Sequence, residues 1–391
     1  MQLRYAFRLY PTVGQRQALA CAFGCARVVW NDALRVRQDA HAAGLPFPKS
    51  ADLSKSLITA AKKTEKRAWL SAAPVGVLQQ SLRDQDQAWR NFFDSASGKR
   101  PGPKVEPPRF KTRRDNRQAA RYTRSDRWSI TDVGRLRLPK VGDVRVTWSR
   151  RLPSDPSSVT VVKDPAGRYW ASFVVETDPA SDLLPEVDTD CGIDLGLTHF
   201  AITDQGVKID SPRFLRRAEK KLKKAQRVLS RKVKGSKNRD KARVKVARAH
   251  ARVANARKDW LHKLSTRLIG ENQAVYVETL SVRALARTRL AKSVHDAGWS
   301  QFLGMLEYKA VKAGRQLVKV ERGFPSSQLC SACGVKDGPK PLNVRSWTCG
   351  GCGNVHDRDV NAARNILFEG RRSRAALTRQ HIPGDVPALT G

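Results

Sequence analysis

The chain has 391 residues, 40% of them hydrophobic and 28% charged, and its 74 Lys and Arg face only 36 Asp and Glu, a formal net charge of +38. That length holds two or three cores of about 100 to 200 residues each, while no apolar run approaches the ~20 residues of a bilayer-spanning helix, so such a helix is excluded and no membrane partner is expected. So large a charge repels itself unless a polyanion binds, and because the basic residues run through the whole chain rather than forming one anchor segment, nucleic acid fits better than an anionic membrane surface.

Leu3 to Tyr10 alternates apolar and basic residues with period two, the pattern of a strand with one buried face, and Pro11 ends it. Thr12 followed by Gln15 predicts a capping box ahead of a helix through Leu34. Further helices are expected over Leu53 to Trp69 and Val77 to Phe93. Gly98 to Pro108, rich in Gly, Pro and Lys, reads as a linker or backbone-gripping loop that runs into Arg109–Arg114. Between about 119 and 177, short alternating segments with turn residues between them predict an antiparallel β-barrel or sandwich that includes the first strand. Composition turns acidic and Pro-containing around 179–190, a boundary. Strands then follow at Cys191–Asp194 and Phe200–Thr203, with a hairpin through Asp204-Gln205-Gly206.

From Arg213 to Lys263 there are 21 Lys and Arg against 3 acidic residues, predicting two long basic helices broken at Lys234-Gly235-Ser236. Ala274–Glu278 reads as a buried strand, Gln301–Ala313 as a helix stopped by Gly314, and Gln316–Val320 as a strand, so the second half is an α/β core. The Arg-rich, then Pro/Gly-rich tail after Gly370 is expected to be disordered.

Seven cysteines are present. Cys330-Ser-Ala-Cys333 and Cys349-Gly-Gly-Cys352, fifteen residues apart, have the spacing of two knuckles of a tetrahedral Cys₄ zinc site. Cys21, Cys25 and Cys191 are scattered and the start Met1-Gln2-Leu3-Arg4 carries no secretion signal, so a reducing cytosol is the expected compartment. Cys21 and Cys25 read as two small buried hydrophobes on a helix.

Three acids share a context. Asp194 and Glu278 each end a strand, and Asp359, in His356-Asp357-Arg358-Asp359, opens a helix; each therefore projects at the edge of a sheet. Alone, each reads equally as a turn residue, an Arg partner or a helix cap, and Asp357 is the runner-up to Asp359. Together they form an oxygen-rich set suited to Mg²⁺, two ions of which, about 4 Å apart, serve phosphodiester cleavage.

Arg8-Leu9-Tyr10-Pro11, Gly192-Ile193-Asp194-Leu195-Gly196, Glu278-Thr279-Leu280, Asp296-Ala297-Gly298-Trp299, the stretch Phe324–Cys330 with its partner cysteines, and His356–Ile366 resemble, in order, the motifs of TnpB proteins. These are transposon-encoded RNA-guided DNA endonucleases related to the compact type V CRISPR effectors. The resemblance implies a multidomain α+β protein. On that expectation, residues 1–10 and 110–180 would form a β-barrel (wedge) domain and 11–109 a helical recognition block, while 188–324 and 355–370 would form a RuvC-like, RNase H-type nuclease domain, 325–354 a zinc-ribbon insertion, and 371–391 a disordered basic tail.

It further implies Asp194, Glu278 and Asp359 as a triad holding two Mg²⁺, with Mn²⁺ as a substitute, and structural Zn²⁺ on Cys330, Cys333, Cys349 and Cys352. The implied partners are a guide RNA from the transposon end and double-stranded target DNA beside a short adjacent motif. Gln79 is a candidate contact to that motif, although Pro74-Val75-Gly76 departs from the basic or aromatic pair common in the family. Lys220, Lys224, Arg227, Arg231, Lys232 and Lys234 would hold the RNA or heteroduplex backbone, while Trp299 and Phe324 read first as core residues. A monomer or weak dimer in a prokaryotic cytoplasm, on the nucleoid when DNA is bound, is expected. The alternatives are a non-cleaving RNA-guided or zinc-ribbon DNA-binding regulator, and a strand-joining transposase. The intact triad favours cleavage over the first, and the zinc knuckle placed before the last acid argues against the second.

Overall fold

The structure, a computed structural model, describes residues 2–113, 115, 117–178, 180, 183–341 and 343–380. The chain divides into two compact units, Met1–Asp178 and Pro179–Gly391. No helix among the described residues is long and apolar enough to cross a membrane.

In the first unit, β1 (Gln2–Tyr10) leads to α1 (Val13–Ala42), which starts at the anticipated box: Thr12 Oγ1 accepts from Gln15 N–H at 3.3 Å, and Gln15 Oε1 accepts from Thr12 N–H at 3.0 Å. The next segment does not form the single helix expected over 53–69. It breaks into α2 (Ser50–Ser54), a π turn and two 3₁₀ turns, because the polar run Lys62–Lys66 offers no apolar stripe to bury. The long α3 (Val75–Ala96) follows. It is fastened to α1 by Ser81 Oγ donating to Ala26 O and Gln85 Nε2 to Trp30 O, both at 2.7 Å.

Then come β2 (Gln118–Thr123), β3 (Ser129–Ile130), β4 (Arg135–Leu138), β5 (Gly142–Thr147), β6 (Ser158–Lys163) and β7 (Tyr169–Glu176). They join β1 in one antiparallel sheet ordered β2-β6-β7-β1-β5-β4-β3. The expected barrel is corrected to a curled sheet whose edge strands β2 and β3 do not pair. At two exposed residues, β3 is too short to close a ladder. Phe7, Tyr122, Leu136, Val144 and Phe173 on its inner face share a core with Leu19 and Phe23 of α1 and Val77 of α3.

The second unit contains β8 (Asp190–Asp194), β9 (His199–Thr203), β10 (Lys208–Asp210), α4 (Phe214–Ser230), α5 (Lys237–Glu271), β11 (Ala274–Glu278), α6 (Val282–Leu285), α7 (Ala291–Ala297), α8 (Trp299–Ala313), β12 (Gln316–Val320), β13 (Ser346–Thr348), β14 (Val355–Asp357) and α9 (Arg358–Gln380). Its sheet runs β10-β9-β8-β11-β12, with β8, β11 and β12 parallel. Val275 and Val277 face a core built with α5 and α8, while Ala274 and Tyr276 face α9. With helices on both faces, β11 is apolar along its buried length. Trp299 is buried in the first of these cores and Phe324 packs against the second, as expected of structural aromatics.

Two glycines let α9 lie against the sheet. A Cβ at Gly192 would stand 2.3 Å from the Ala363 carbonyl oxygen, and one at Gly370 would stand 2.1 Å from the Tyr276 ring. The tail expected to be disordered from 371 is instead helical through Gln380, with Arg371 Nε donating to Asp190 Oδ2 at 2.9 Å. Residues 381–391 lie outside the described residues.

Candidate acidic centre and cysteine cluster

β8 and β11 run parallel with Ile193 beside Val277, so the next residues, Asp194 and Glu278, end adjacent strands on the same edge of the sheet. Asp359 sits in the first turn of α9, which crosses β8 through the contact at Gly192. Burial first, then repulsion from Glu278 and Asp359, pushes the Asp194 carboxyl up from 3.8 to about 8, while Arg358 and Arg345 pull it the other way. Burial likewise lifts Glu278 to about 7 against a hydrogen bond from the Leu195 backbone. Asp194 thus feels both other predicted acids, and it and Glu278 hold their protons near neutral pH.

Arg345, in the segment between the cysteine pairs, stands 3.3 Å from both oxygens of Asp359 and is a charge partner that sequence reasoning missed. Asp357 is a different kind of acid. It accepts the N–H groups of Asp359 and Val360 at 3.0 and 3.2 Å and pairs with Lys208 at 2.6 Å, so it caps α9 and turns away from the cluster's role.

The donor set fits an oxygen-seeking divalent ion. Asp194 and Glu278, whose pKa values are raised, would give up their protons to a divalent charge, and the Asp359 carboxylate would complete the oxygen set. Their oxygens are more widely spread than the cysteine sulfurs: among the described residues, only Cys330, Cys333, Cys349 and Cys352 bring three or more metal-ligating atoms all within 4.8 Å.

In that cluster, Cys330 Sγ lies 3.6 Å from Cys352 Sγ, and Cys333 Sγ 3.7 Å from Cys349 Sγ. A tetrahedron with Zn–S bonds of about 2.3 Å has edges of about 3.8 Å; these two pairs match it, and all four sulfurs lie within 4.8 Å of one another. Burial would raise the Cys330 thiol, but N–H groups of Cys333 and Ala332 and the His356 imidazole outweigh it and lower it to about 6. His356 Nε2, 3.0 Å from this sulfur, is positioned as an outer partner of the ligand.

Two asparagines tie the knuckle to the acidic helix. Asn361 Nδ2 donates to Leu329 O at 2.7 Å and its Oδ1 accepts Ser331 N–H at 2.8 Å, while Asn365 Nδ2 donates to Ser326 O and Leu329 O at 2.8 Å. Both are buried, so the cysteine cluster registers α9 and with it Asp359.

The predicted basic candidates Lys220, Lys224, Arg227, Arg231, Lys232 and Lys234 are all exposed on α4 and the turn after it. Only Lys224 lines the groove between α4 and α5, where Lys221, Lys245 and Arg252 join it. At the base of this hairpin, Asp296, 4% exposed at its side chain, accepts Leu215 and Arg216 N–H groups at 2.8 and 3.2 Å and the Arg257 guanidinium at 3.3 Å. It supplies the cap that α4 lacks, since the residue before that helix is Arg213 with φ 50°. Gln79 is half-buried on α3. Asp126 approaches the neighbouring Gly76 so closely that a Cβ there would stand 1.5 Å from Asp126 Oδ1.

Comparison with known proteins agrees across the chain. Residues 172–289 match a family described as "Probable transposase", 299–366 match "Cas12f1-like, TNB domain", and 1–45 match "Helix-turn-helix domain", although that last stretch here is one strand and one long helix. A "Putative RNA-guided DNA endonuclease" of Streptomyces pristinaespiralis is 46% identical over 95% of this chain and 90% of its own length. "Putative RNA-guided DNA endonuclease InsQ" of Escherichia coli (strain K12) is 31% identical over 94% and 92%. In fold, the chain is similar to a protein in the cryo-EM structure of the Cas12f1-sgRNA-target DNA complex, with a TM-score of 0.52, 11% identity, and coverage of 94% of this chain and 98% of that one.

Proposed function

Because the chain belongs to the TnpB family of RNA-guided DNA endonucleases, we propose that it cleaves DNA selected by a bound RNA, with RuvC-like chemistry at Asp194, Glu278 and Asp359. The observation that carries this reading is the burial of Asp194 and Glu278 at the ends of adjacent parallel strands, with Glu278 and Asp359 both repelling the Asp194 carboxylate, in a protein of net charge +38. Mg²⁺, two ions in the full site, would be held by the three carboxylates and, when bound, supplies Lewis-acid activation of water and stabilisation of the leaving 3′ oxygen. Mn²⁺ suits the same oxygen ligands.

The chain's own groups do the rest. Asp194 and Glu278, protonated near neutral pH, would serve the metal as carboxylates, and Arg345, paired with Asp359 at 3.3 Å, would offer its guanidinium to a phosphate at the same edge. The groove cations of α4 and α5 hold backbone. The four cysteines with structural zinc, through Asn361 and Asn365, keep α9 in register. Guide pairing reads sequence, and the first unit, Gln79 included, reads the short motif beside the target.

The test is cleavage by purified protein loaded with its co-purifying RNA, offered matched DNA with randomised flanks. Mg²⁺-dependent cutting in the wild type, lost in Asp194→Ala and Glu278→Ala with RNA binding intact, supports the proposal. Cutting that persists in both variants refutes the triad. RNA and DNA binding without any cutting in the wild type establishes the regulator instead.

A further inference from the structure

On the outer face of the sheet in the first unit, cations and rings alternate across three strands. β1 pairs with β7 so that Arg8 lies opposite Trp170, and with β5 so that Tyr10 lies opposite Arg145. The Arg8 guanidinium carbon stands 5.2 Å from the Trp170 ring centre and 5.4 Å from that of Tyr10. Arg168 stands 5.3 Å from Trp170, and Arg145 stands 5.9 Å from Tyr10. The order is Arg145, Tyr10, Arg8, Trp170, Arg168.

As a stabilising device this ladder is poorly made. Arg8 Nη1 is buried without a hydrogen-bond partner, which carries a desolvation penalty. Burial and then repulsion by Arg168 lower the Arg8 pKa, and Tyr10 and Asp164 offset this only in part. Two like charges share one indole, and the acid beside them, Asp164, is already engaged by Arg168 Nε at 2.7 Å and Trp170 Nε1 at 3.1 Å. A guanidinium beside a ring can still hydrogen-bond in its own plane, so the exposed Arg145, and the half-buried Arg8 through its N–H groups other than Nη1, can take a phosphate. Tyr10, between Arg145 and Arg8 in this order, is still 53% exposed, so much of its ring is open to solvent.

We propose that this ladder is a binding site for an unpaired stretch of RNA, with Arg8 and Arg145 on consecutive phosphates and an unstacked base on Tyr10. The proposal rests on the reading that the protein carries an RNA, and it adds the place on the fold where that RNA is gripped. RNA is chosen over duplex DNA because an exposed ring recognises splayed bases of loops and single strands, whereas a duplex keeps its bases stacked inside.

The test uses the full-length protein. The RNA that co-purifies with it is transcribed in vitro, and binding is measured across a salt series for wild type, Arg8→Gln with Arg145→Gln, and Tyr10→Leu. A duplex DNA of the same sequence runs in parallel. The double variant is expected to bind RNA at least tenfold more weakly, with a salt slope shallower by about 0.7 for each phosphate no longer neutralised, while duplex DNA binding changes less than twofold. RNA affinity and slope unchanged from wild type overturn the proposal, as does a loss confined to DNA. Should the variants melt early, photocrosslinking of 4-thiouridine-substituted RNA to the wild type decides: crosslinks at Tyr10 support the site, and crosslinks only elsewhere overturn it. A wild type that binds no RNA at all overturns the parent reading, an outcome distinct from a wild type that binds while the variants are unaffected.

Discussion

Replacing Asp194 with Asn should destroy cleavage yet stabilise the metal-free protein, by an amount that grows with pH. The folded state holds the Asp194 carboxyl at about 8 against an ordinary 3.8. A raised folded pKa leaves stability intact below about pH 4 and removes it progressively as pH climbs toward 8, because the unfolded chain ionises this group more readily. Carried to pH 8 at 1.36 kcal/mol per pH unit, the penalty is roughly 5 kcal/mol at most. Partial exposure and relaxation of the neighbouring acids reduce it to about 3 kcal/mol. Asn cannot ionise, so in EDTA the second unit of Asp194→Asn should melt about 6 to 12 °C above wild type at pH 8.5, and within a few degrees of it at pH 4.5. Added Mg²⁺ should raise the wild-type melting temperature at pH 8.5 and leave the variant nearly unmoved. The assay is circular dichroism or scanning fluorimetry across that pH range. A variant that melts below wild type at pH 8.5, or a gain of equal size at both pH values, refutes the electrostatic account of the site.

Gly192→Ala places a methyl 2.3 Å from the Ala363 carbonyl oxygen; it should shift α9 and cost about 3 kcal/mol in chemical denaturation, with activity falling by more than tenfold. Asn361→Ala strands the Ser331 N–H and Leu329 carbonyl, and a loss of about 2 kcal/mol with weakened zinc retention, read by a chelator-competition assay, is the expected outcome. Asp296→Ala leaves Arg257 and the first turn of α4 unpaired; about 3 kcal/mol should be lost and hydrogen exchange in α4 should quicken, with the core strand β11 protected as before. Cys330→Ser with Cys349→Ser should abolish zinc binding, measured by elemental analysis of the purified protein, and loosen 325–357 first.

Much of this centre was legible because its parts are local. Strand ends place Asp194 and Glu278 wherever the sheet closes, and the spacing of two Cys-x-x-Cys pairs needs no tertiary knowledge to suggest a shared ion. The capping box at Thr12 and the break at Gly235 are equally local signals. What escaped depends on distant segments meeting. Arg345 finds Asp359 only after β13 and β14 pair, and nothing in the Arg345 neighbourhood of the sequence marks it among 74 basic residues. Asn361 and Asn365, four apart on a helix, share a face, a pattern that could have flagged them as a pair reaching for one strand of backbone. Composition misled at the tail: Arg-rich sequence after 370 reads as disorder, but Asp190 and Tyr276 receive Arg371 and Arg374 and the helix continues. Closure of the sheet into a barrel was likewise beyond a pattern of alternating strands, since that pattern is the same in an open sheet.

The most direct measurement is anomalous scattering from Mn²⁺ in crystals of the RNA-loaded protein with a non-cleavable target strand. Two peaks bridged by the carboxylates of Asp194, Glu278 and Asp359, with Arg345 withdrawn from Asp359, are what the account predicts. Manganese bound elsewhere, with those three side chains uncoordinated and Arg345 still in place, would contradict it.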